Sequence, residues 1–220
     1  MGLMERQLAS ATFSAPTRFT DNVSLQAAFG TDRIGLAEGA SLTVDGPIEL
    51  GTEILFAGDC SLGPNSSVEN GSMLTDVRLG EEARVRAYSV LAELEAGHRN
   101  LFGPFCFIRD GCQVDSDCIL GAHLEATRSR FGSRVKASHR AFIGDATIGS
   151  GTIIGCGVIF CNWDGAGHQE TQVGEEVMLG SGALIIAPLT IGSGAVIGAG
   201  SVITRDVAAG SRIIQKRHQD

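Results

Sequence analysis

The chain has 220 residues, and 17 Lys and Arg against 25 Asp and Glu give it a formal net charge of −8, so we expect neither a basic nucleic-acid groove nor a nucleic-acid partner. Hydrophobic residues make up 43% of the chain and charged residues 19%, which excludes intrinsic disorder. Glycine is the unusual residue, with 30 positions against 5 prolines, a ratio that fits neither collagen nor a proline-rich linker.

The first residues, MGLMERQLASATF, do not match a targeting segment. Glu5 and Arg6 stand where a signal peptide has an apolar run, and Arg6 stands where a myristoylation motif has Ser or Thr. No apolar stretch approaches the ~18 residues of a membrane span, and the longest, Ala183 to Leu189, contains Pro188. We therefore expect a cytoplasmic protein with no membrane partner.

After a predicted lead-in at residues 1–30, the chain consists largely of six-residue units. Each unit begins with Val, Ile, Leu or Phe, its second residue is often Gly, and its fifth is mostly small or β-branched. The units are LGTEIL, FAGDCS, LGPNSS and VENGSM from Leu50, LGEEAR and VRAYSV from Leu79, FGPFCF, IRDGCQ, VDSDCI and LGAHLE from Phe102, IGSGTI and IGCGVI from Ile148, and VGEEVM, LGSGAL, IIAPLT, IGSGAV, IGAGSV and ITRDVA from Val173.

A strict period of six suits neither the two-residue alternation of a long strand nor the 3.6-residue period of a helix. It predicts a solenoid in which three hexads make one triangular coil, the aliphatic first residue points inward and glycine permits the turn at the corner. The predicted fold is all-β, a parallel β-helix of nine to ten coils. Its left hand is implied by similarity to known hexapeptide-repeat proteins, since parallel crossovers are otherwise right-handed.

Two segments interrupt the repeat. Residues 95–101 are predicted to form a small extra corner, and the polar stretch NWDGAGHQETQ to form a loop at residues 162–172. Because a loop that leaves a regular solenoid often carries binding groups, we expect functional residues there. The predicted organisation is a β-helix over residues 31–210 with this loop, followed by a tail at residues 211–220.

Six cysteines form no CxxC pair, which argues against a zinc ribbon or a thioredoxin-like site. Cys106, Cys112 and Cys118 occupy the fifth position of three successive hexads, where a small apolar side chain packs. We therefore interpret the cysteines as core residues.

Four stretches give the chain a family resemblance: GPF at residues 103–105 with RDG at 109–111, KASHRAFIGDATIG at 136–149, CNWDG at 161–165, and LIIAPLTIGSGAVIGAGSVITRDV from Leu184. From about Leu74 onward the chain resembles the C-terminal acetyltransferase domain of the bifunctional N-acetylglucosamine-1-phosphate uridyltransferase/glucosamine-1-phosphate acetyltransferase family. The resemblance implies an acetyl-CoA-dependent N-acetyltransferase of nucleotide-sugar biosynthesis that acts as a homotrimer. No glycine-rich nucleotide loop opens a βαβ unit, so we expect the uridyltransferase half to be lacking.

The resemblance also implies roles for individual residues. His139 matches the catalytic base, Glu125 a carboxylate near that base, and Arg109 an arginine that holds the sugar phosphate. The acetyl-CoA contacts are matched by Asn162, Ser181 and Ala199 without change, and by Trp163, Cys156 and Lys216 as replacements for Tyr, Ala and Arg.

The acceptor side departs further from the family. A lysine, a tyrosine, an asparagine and a second lysine are replaced by Thr127, Phe142, Ile153 and His168, while Arg128 and Arg130 could supply compensating charge. Losing these polar groups predicts poor recognition of glucosamine-1-phosphate. The small-molecule amine acceptor is thus left open, as is a non-catalytic scaffold derived from the acetyltransferase domain.

Amide formation from a thioester has simple requirements. The amine attacks as the free base, so a group that titrates near neutrality must accept its proton, and histidine suits this role. Donors such as backbone N–H groups must stabilise the oxyanion. No side-chain nucleophile is needed for direct transfer.

His123 and His139 could instead suggest the zinc site of a γ-type carbonic anhydrase, but a third histidine at suitable spacing is missing, so no metal is expected.

Overall fold

In a computed structural model, which describes residues 8–215, the chain winds as a solenoid of parallel strands. The described residues contain one helix, α1 (Asn22–Phe29). The strands, in chain order, are β1 (Ala9–Phe19), β2 (Ile34–Leu36), β3 (Ser41–Leu50), β4 (Ile54–Ala57), β5 (Asp59–Leu62), β6 (Ser66–Val68), β7 (Met73–Leu79), β8 (Arg84–Val85), β9 (Val90–Ala96), β10 (Leu101–Phe102), β11 (Phe107–Arg109), β12 (Cys112–Val114), β13 (Ile119–Ala122), β14 (Glu125–Thr127), β15 (Arg130–Phe131), β16 (Lys136–His139), β17 (Phe142–Gly144), β18 (Ala146–Ile148), β19 (Ile153–Ile154), β20 (Ile159–Cys161), β21 (Thr171–Val173), β22 (Met178–Leu179), β23 (Leu184–Ile186), β24 (Leu189–Ile191), β25 (Val196–Ile197), β26 (Val202–Ile203) and β27 (Arg212–Ile213).

The strands form three faces, and each coil pairs in parallel with the coils before and after it. The first face contains β2, β4, β11, β14, β17, β20, β23 and β26 with the first halves of β7 and β9. The second contains β5, β12, β15, β18, β21 and β24, and the third contains β6, β8, β10, β13, β16, β19, β22, β25 and β27. The predicted solenoid of about ten coils is confirmed.

The interior is aliphatic with a few large rings. Phe56, Phe102, Phe131 and Phe160 are among the largest fully buried side chains. Cys106, Cys112 and Cys118 lie one on each face of a single coil and are at most 2% exposed. Burial raises the pKa of the Cys106 and Cys118 thiols to about 11, so these thiols remain protonated core groups at neutral pH.

Glycine serves two different needs at the corners. At the second hexad position, a Cβ on Gly180 would lie 2.3 Å from the backbone nitrogen of Ala199 in the next coil, so no larger residue fits without a shift. At the fourth position, Gly182 has a φ of +69°. This left-handed conformation also occurs at corners without glycine, including Asp110 and Asp145. The close approach of coils therefore restricts the second position, while the turn itself tolerates polar residues.

The N-terminal end of the core is closed by elements without hexads. Strand β1 pairs antiparallel with β3, which spans parts of the second and third faces. Helix α1 follows, with Asp21 as its N-cap accepting a 2.8 Å hydrogen bond from the Ser24 amide. Leu25 and Phe29 on this helix are buried in the core. The lead-in therefore covers apolar side chains that the first coil would otherwise expose. No helix among residues 8–215 has the length and apolarity that crossing a membrane requires.

The prediction of an extra corner at residues 95–101 is wrong, because these residues form an ordinary corner of the solenoid. Glu95 and Ala96 pair with β12, and Leu101 continues the third face. Asn100 is 1% exposed and occupies the inward position that Cys118 fills in the next coil. Its amide donates to the Gly97 and Asp115 carbonyls at 3.0 and 2.8 Å, and its Oδ1 accepts from the Cys118 amide at 2.8 Å. A polar side chain fits here because every hydrogen-bonding atom is used.

Replacing Asn100 by Ala should lower the free energy of unfolding by about 1–3 kcal/mol, because buried backbone groups lose their partner. Urea denaturation followed by circular dichroism measures this change. Glu95→Ala on the exposed second face is the matched control, with an expected change within about 0.5 kcal/mol. Equal effects of the two substitutions would contradict a structural role for the Asn100 amide.

Candidate active site

Four of the predicted site residues form a row along one corner of the solenoid, between the third face and the first. Lys136 pairs with Ile153 and Ile153 with Met178, which in turn pairs with Val196. In the same register, the residues three positions after these four also lie one above another in successive coils. They are all predicted site residues, and we call them the corner row: His139, Cys156, Ser181 and Ala199.

The His139 side chain is exposed, and no hydrogen bond or ion pair to its imidazole is found among residues 8–215. Cys156 is also exposed, so the interpretation of the cysteines as core residues is wrong for this one. In the next two coils the corner consists of small residues, because Ser181 and Ala199 are each followed by a glycine with positive φ. The corner row therefore combines an accessible proton acceptor with a low, backbone-rich surface in the following coils.

A groove of about 780 Å³ lies beside the corner row. Its walls combine ionisable, aromatic and aliphatic side chains, contributed chiefly by His123, Glu125, Arg140, Phe142, Cys156 and Ile159. Arg140 directly follows His139 in the chain, and Cys156 belongs to both the groove and the row. Glu125, predicted as the carboxylate near the base, and Phe142, predicted on the acceptor side, thus line the groove and are register neighbours on the first face.

An aromatic stack leads along the same corner into the groove. The rings of Tyr88 and Phe105 lie 5.5 Å apart at 7°, and those of Phe105 and His123 lie 5.1 Å apart at 5°. His123, which the sequence had suggested only as a possible zinc ligand, therefore packs as the last ring of this stack. No cluster of three or more His, Cys, Asp or Glu side chains suited to a metal occurs in the described part of the chain.

Three residues predicted on the acceptor side, Arg109, Thr127 and Arg128, lie at the opposite edge of the first face and are already paired. Arg109 donates to Glu125 at 3.0 Å and also bonds Asp110. Thr127, only 1% exposed, donates to Asp110 at 2.8 Å and accepts from Arg128 at 3.0 Å. The Thr127 hydroxyl, with help from Arg109, lowers the pKa of Asp110 although burial opposes this. The two guanidinium groups thus face carboxylates of their own chain.

The segment between β20 and β21 (residues 162–170) leaves the solenoid as a loop. Asn162 is 7% exposed and its side chain bonds Asp145, whereas Trp163 is 58% exposed. The Trp163 and His168 rings meet edge to face at 5.1 Å, and their backbones form an antiparallel bridge. The Nδ1 atom of His168 lies 3.1 Å from the Asp145 carboxylate. Like the two arginines, His168 therefore faces a carboxylate of the chain itself.

The predicted acceptor residue Ile153 is not brought to the groove. Ile153 lies on the third face, 44% exposed, between Lys136 and Met178. Lys216 lies outside the described residues.

Sequence reasoning missed Asp110 and Asp145, the carboxylates that neutralise the arginines. A signal for one of them was present: Arg128 and Asp145 are 17 residues apart, which is one coil.

Comparison with known proteins links this arrangement to transferases. The model of the "Bacterial transferase hexapeptide (six repeats)" family matches residues 170–205. The bifunctional protein GlmU of Acidithiobacillus ferrooxidans is 34% identical over 190 residues, which cover 84% of this chain and 42% of that protein. GlmU of Baumannia cicadellinicola is 36% identical, covering 76% of the chain and 36% of that protein, and GlmU of Pelobacter propionicus is 31% identical, covering 100% and 48%. The chain spans less than half the length of these relatives.

Proposed function

Because this chain is a hexapeptide-repeat protein related in sequence to the bifunctional GlmU proteins, we propose that it transfers an acetyl group from acetyl-CoA to the amine of an amino sugar or a related small molecule. The observation that carries the proposal is the corner row, in which an exposed, unpaired imidazole continues into three residues that the family resemblance assigns to acetyl-CoA. A cytoplasmic location and a role in nucleotide-sugar biosynthesis remain predictions from the sequence.

In the proposed reaction His139 acts as the general base. The amine nitrogen of the acceptor attacks the thioester carbonyl, and the His139 imidazole takes the proton that the nitrogen loses. The carbon–sulfur bond then breaks, and the CoA thiolate leaves and takes up a proton. Direct transfer needs no nucleophile from the protein.

The pairing of Arg109 with Glu125 gives the carboxylate a different proposed role from the one implied by the resemblance. Glu125 is aligned with Phe142, three residues beyond His139, and its partner is the guanidinium group. We infer that Glu125 lines the acceptor groove and orients the Arg109 guanidinium group through their ion pair.

Replacing His139 by Ala should lower kcat by about 10²- to 10⁴-fold, the usual contribution of a general base. Release of CoA thiol in the presence of acceptor measures the rate. The matched control is His98→Ala, which removes another exposed histidine at a different corner and should leave kcat unchanged. Wild-type rates in the His139 variant would refute its role as base.

Calorimetry with acetyl-CoA tests the scaffold alternative, which requires that the wild-type protein show no binding at millimolar donor.

Glucosamine-1-phosphate should be a poor acceptor compared with unphosphorylated amino sugars. Arg109 and Arg128 are neutralised by carboxylates, and each missing charge-assisted contact to a phosphate costs roughly 1.5–3 kcal/mol, or about tenfold or more in affinity. Phe142 makes the groove wall apolar as well. A screen of amino sugars, their phosphates, nucleotide amino sugars and simple amines, read by thiol release, measures kcat/KM for each. Efficient use of glucosamine-1-phosphate would contradict this reading of the site.

We further propose that the protein is a homotrimer whose subunits pack through the first and third faces. The outward side chains of the first face include a column of exposed apolar residues, each 36–45% exposed: Met73, Val90, Phe107, Ile159 and Val202. Ile153 and Met178 extend an apolar surface on the third face. The outward positions of the second face are instead polar, among them Arg78, Glu95, Gln113 and Arg130.

Light scattering should therefore give a particle about three times the 22.9 kDa of one chain, because cyclic threefold symmetry closes all such contacts. Replacing Phe107 and Ile159 together by Asp should dissociate it, whereas Gln113→Asp on the second face should not. A stable wild-type monomer at micromolar concentration would contradict the proposal.

A further inference from the structure

Asp145 contacts the loop at residues 162–170 from beneath, at points near both ends of the loop. Its carboxylate bonds the side chain of Asn162, the first loop residue, and lies 3.1 Å from Nδ1 of His168. Its backbone carbonyl accepts a 3.0 Å hydrogen bond from the amide of Thr171, the first residue after the loop. Arg128, one coil earlier, donates to the same carboxylate from Nε at 2.6 Å and from its terminal nitrogen at 2.9 Å.

The Asp145 carboxylate is well placed to hold these groups because it stays ionised. Its side chain is 10% exposed, and burial by itself raises the pKa. The hydrogen bonds from Arg128 and Asn162 outweigh burial and lower the pKa of Asp145 below its ordinary value. An ionised, largely buried carboxylate forms stronger hydrogen bonds than a neutral acceptor.

The loop itself is a small folded unit. Asp164 accepts hydrogen bonds from the amides of Ala166 and Gly167, both at 2.8 Å, and from the Gln169 side chain at 2.8 Å. The Gln169 amide donates to the carbonyl of Asn162 at 2.8 Å. Most of its side chains are exposed, so little apolar burial attaches the unit to the solenoid. Its placement depends instead on the polar contacts to Asp145 and to Arg128, whose terminal nitrogen lies 3.4 Å from Nδ1 of His168.

We propose that Asp145 is a positioning residue that sets the placement of this loop, and with it the orientation of Asn162 and Trp163 toward the acyl donor. The part that concerns the donor rests on the proposed function. The part that concerns the loop does not, because it follows from the contacts of Asp145 alone.

The test compares Asp145→Asn with Asp117→Asn. Asp117 has the same pairing geometry, because it lies at a corner with positive φ and accepts from Nε and the terminal nitrogen of Arg99, one coil earlier, at 2.7 and 2.9 Å. Its side chain is 41% exposed, whereas that of Asp145 is 10% exposed. These hydrogen bonds connect Asp117 to Arg99 and to no residue of the loop. Both substitutions therefore remove one carboxylate charge from an arginine pair, and only one of them acts on the loop.

The first readout is fluorescence. Trp163 is the only tryptophan of the chain, so quenching of its emission by acrylamide reports on this loop alone. Asp145→Asn should increase the quenching constant by about twofold or more as the loop opens locally, while Asp117→Asn should leave it unchanged. Unchanged quenching in folded Asp145→Asn overturns the proposal, whatever the activity.

The second readout is the kinetics of the proposed reaction. Asp145→Asn should raise the KM for acetyl-CoA by about tenfold with a much smaller effect on kcat, because binding of the donor is weakened rather than the chemistry. An unchanged KM with increased quenching overturns the link to the donor. If the wild-type protein transfers no acetyl group but quenching rises in Asp145→Asn, the proposed function fails and the positioning of the loop stands.

Circular dichroism verifies that each variant is folded. If Asp145→Asn does not fold, Asn162→Ala takes its place for the fluorescence readout, because it removes one loop contact and leaves the Arg128 pair intact. Increased quenching in that variant is expected, and unchanged quenching overturns the proposal.

Discussion

Backbone hydrogen bonding between successive coils is the constraint on which the rest of this structure depends. Each strand of two to four residues per face is too short to be stable alone, and it becomes stable because identical registers repeat through about ten coils. The close approach of these coils leaves no room for a Cβ at positions such as Gly180. The high glycine content of the chain is therefore largely a consequence of coil spacing.

The same constraint aligns equivalent residues of successive coils along the solenoid axis. A residue lies over the one 17 or 18 positions later, so a carboxylate at one corner meets an arginine of the neighbouring coil. Arg128 with Asp145 and Arg99 with Asp117 are both pairs of this kind. At the acceptor edge, this stacking neutralises the guanidinium groups within the chain itself. Charge complementarity along the solenoid axis thus limits the cations left for a ligand, and the proposal of an acceptor without a phosphate rests on this pairing.

The loop at residues 162–170 breaks the spacing of 17 or 18 residues per coil, since it lengthens one coil to 25 residues between Ile153 and Met178. It returns to the solenoid at Thr171, which pairs with Ala146 and donates its amide hydrogen to the Asp145 carbonyl. This polar, glycine-containing loop is therefore attached to the solenoid by polar contacts, to which Asp145 contributes both its carboxylate and its backbone carbonyl. This arrangement lets an exposed tryptophan project from a regular scaffold without disturbing the coils on either side.

The sequence by itself determined the solenoid and the inward positions of Cys106, Cys112 and Cys118, because a period of six fixes both the face and the depth of a residue. It did not reveal the closing role of β1 and α1, which carry no hexads, nor that Asn100 fills an ordinary corner, since only its three hydrogen bonds make a polar residue acceptable there. The tertiary structure alone decided that Ile153 lies on a different face from the groove and that Arg109 and Arg128 are already paired. The physical reason is that coil length varies, and that the partner of a long charged side chain depends on the direction it takes between neighbouring coils.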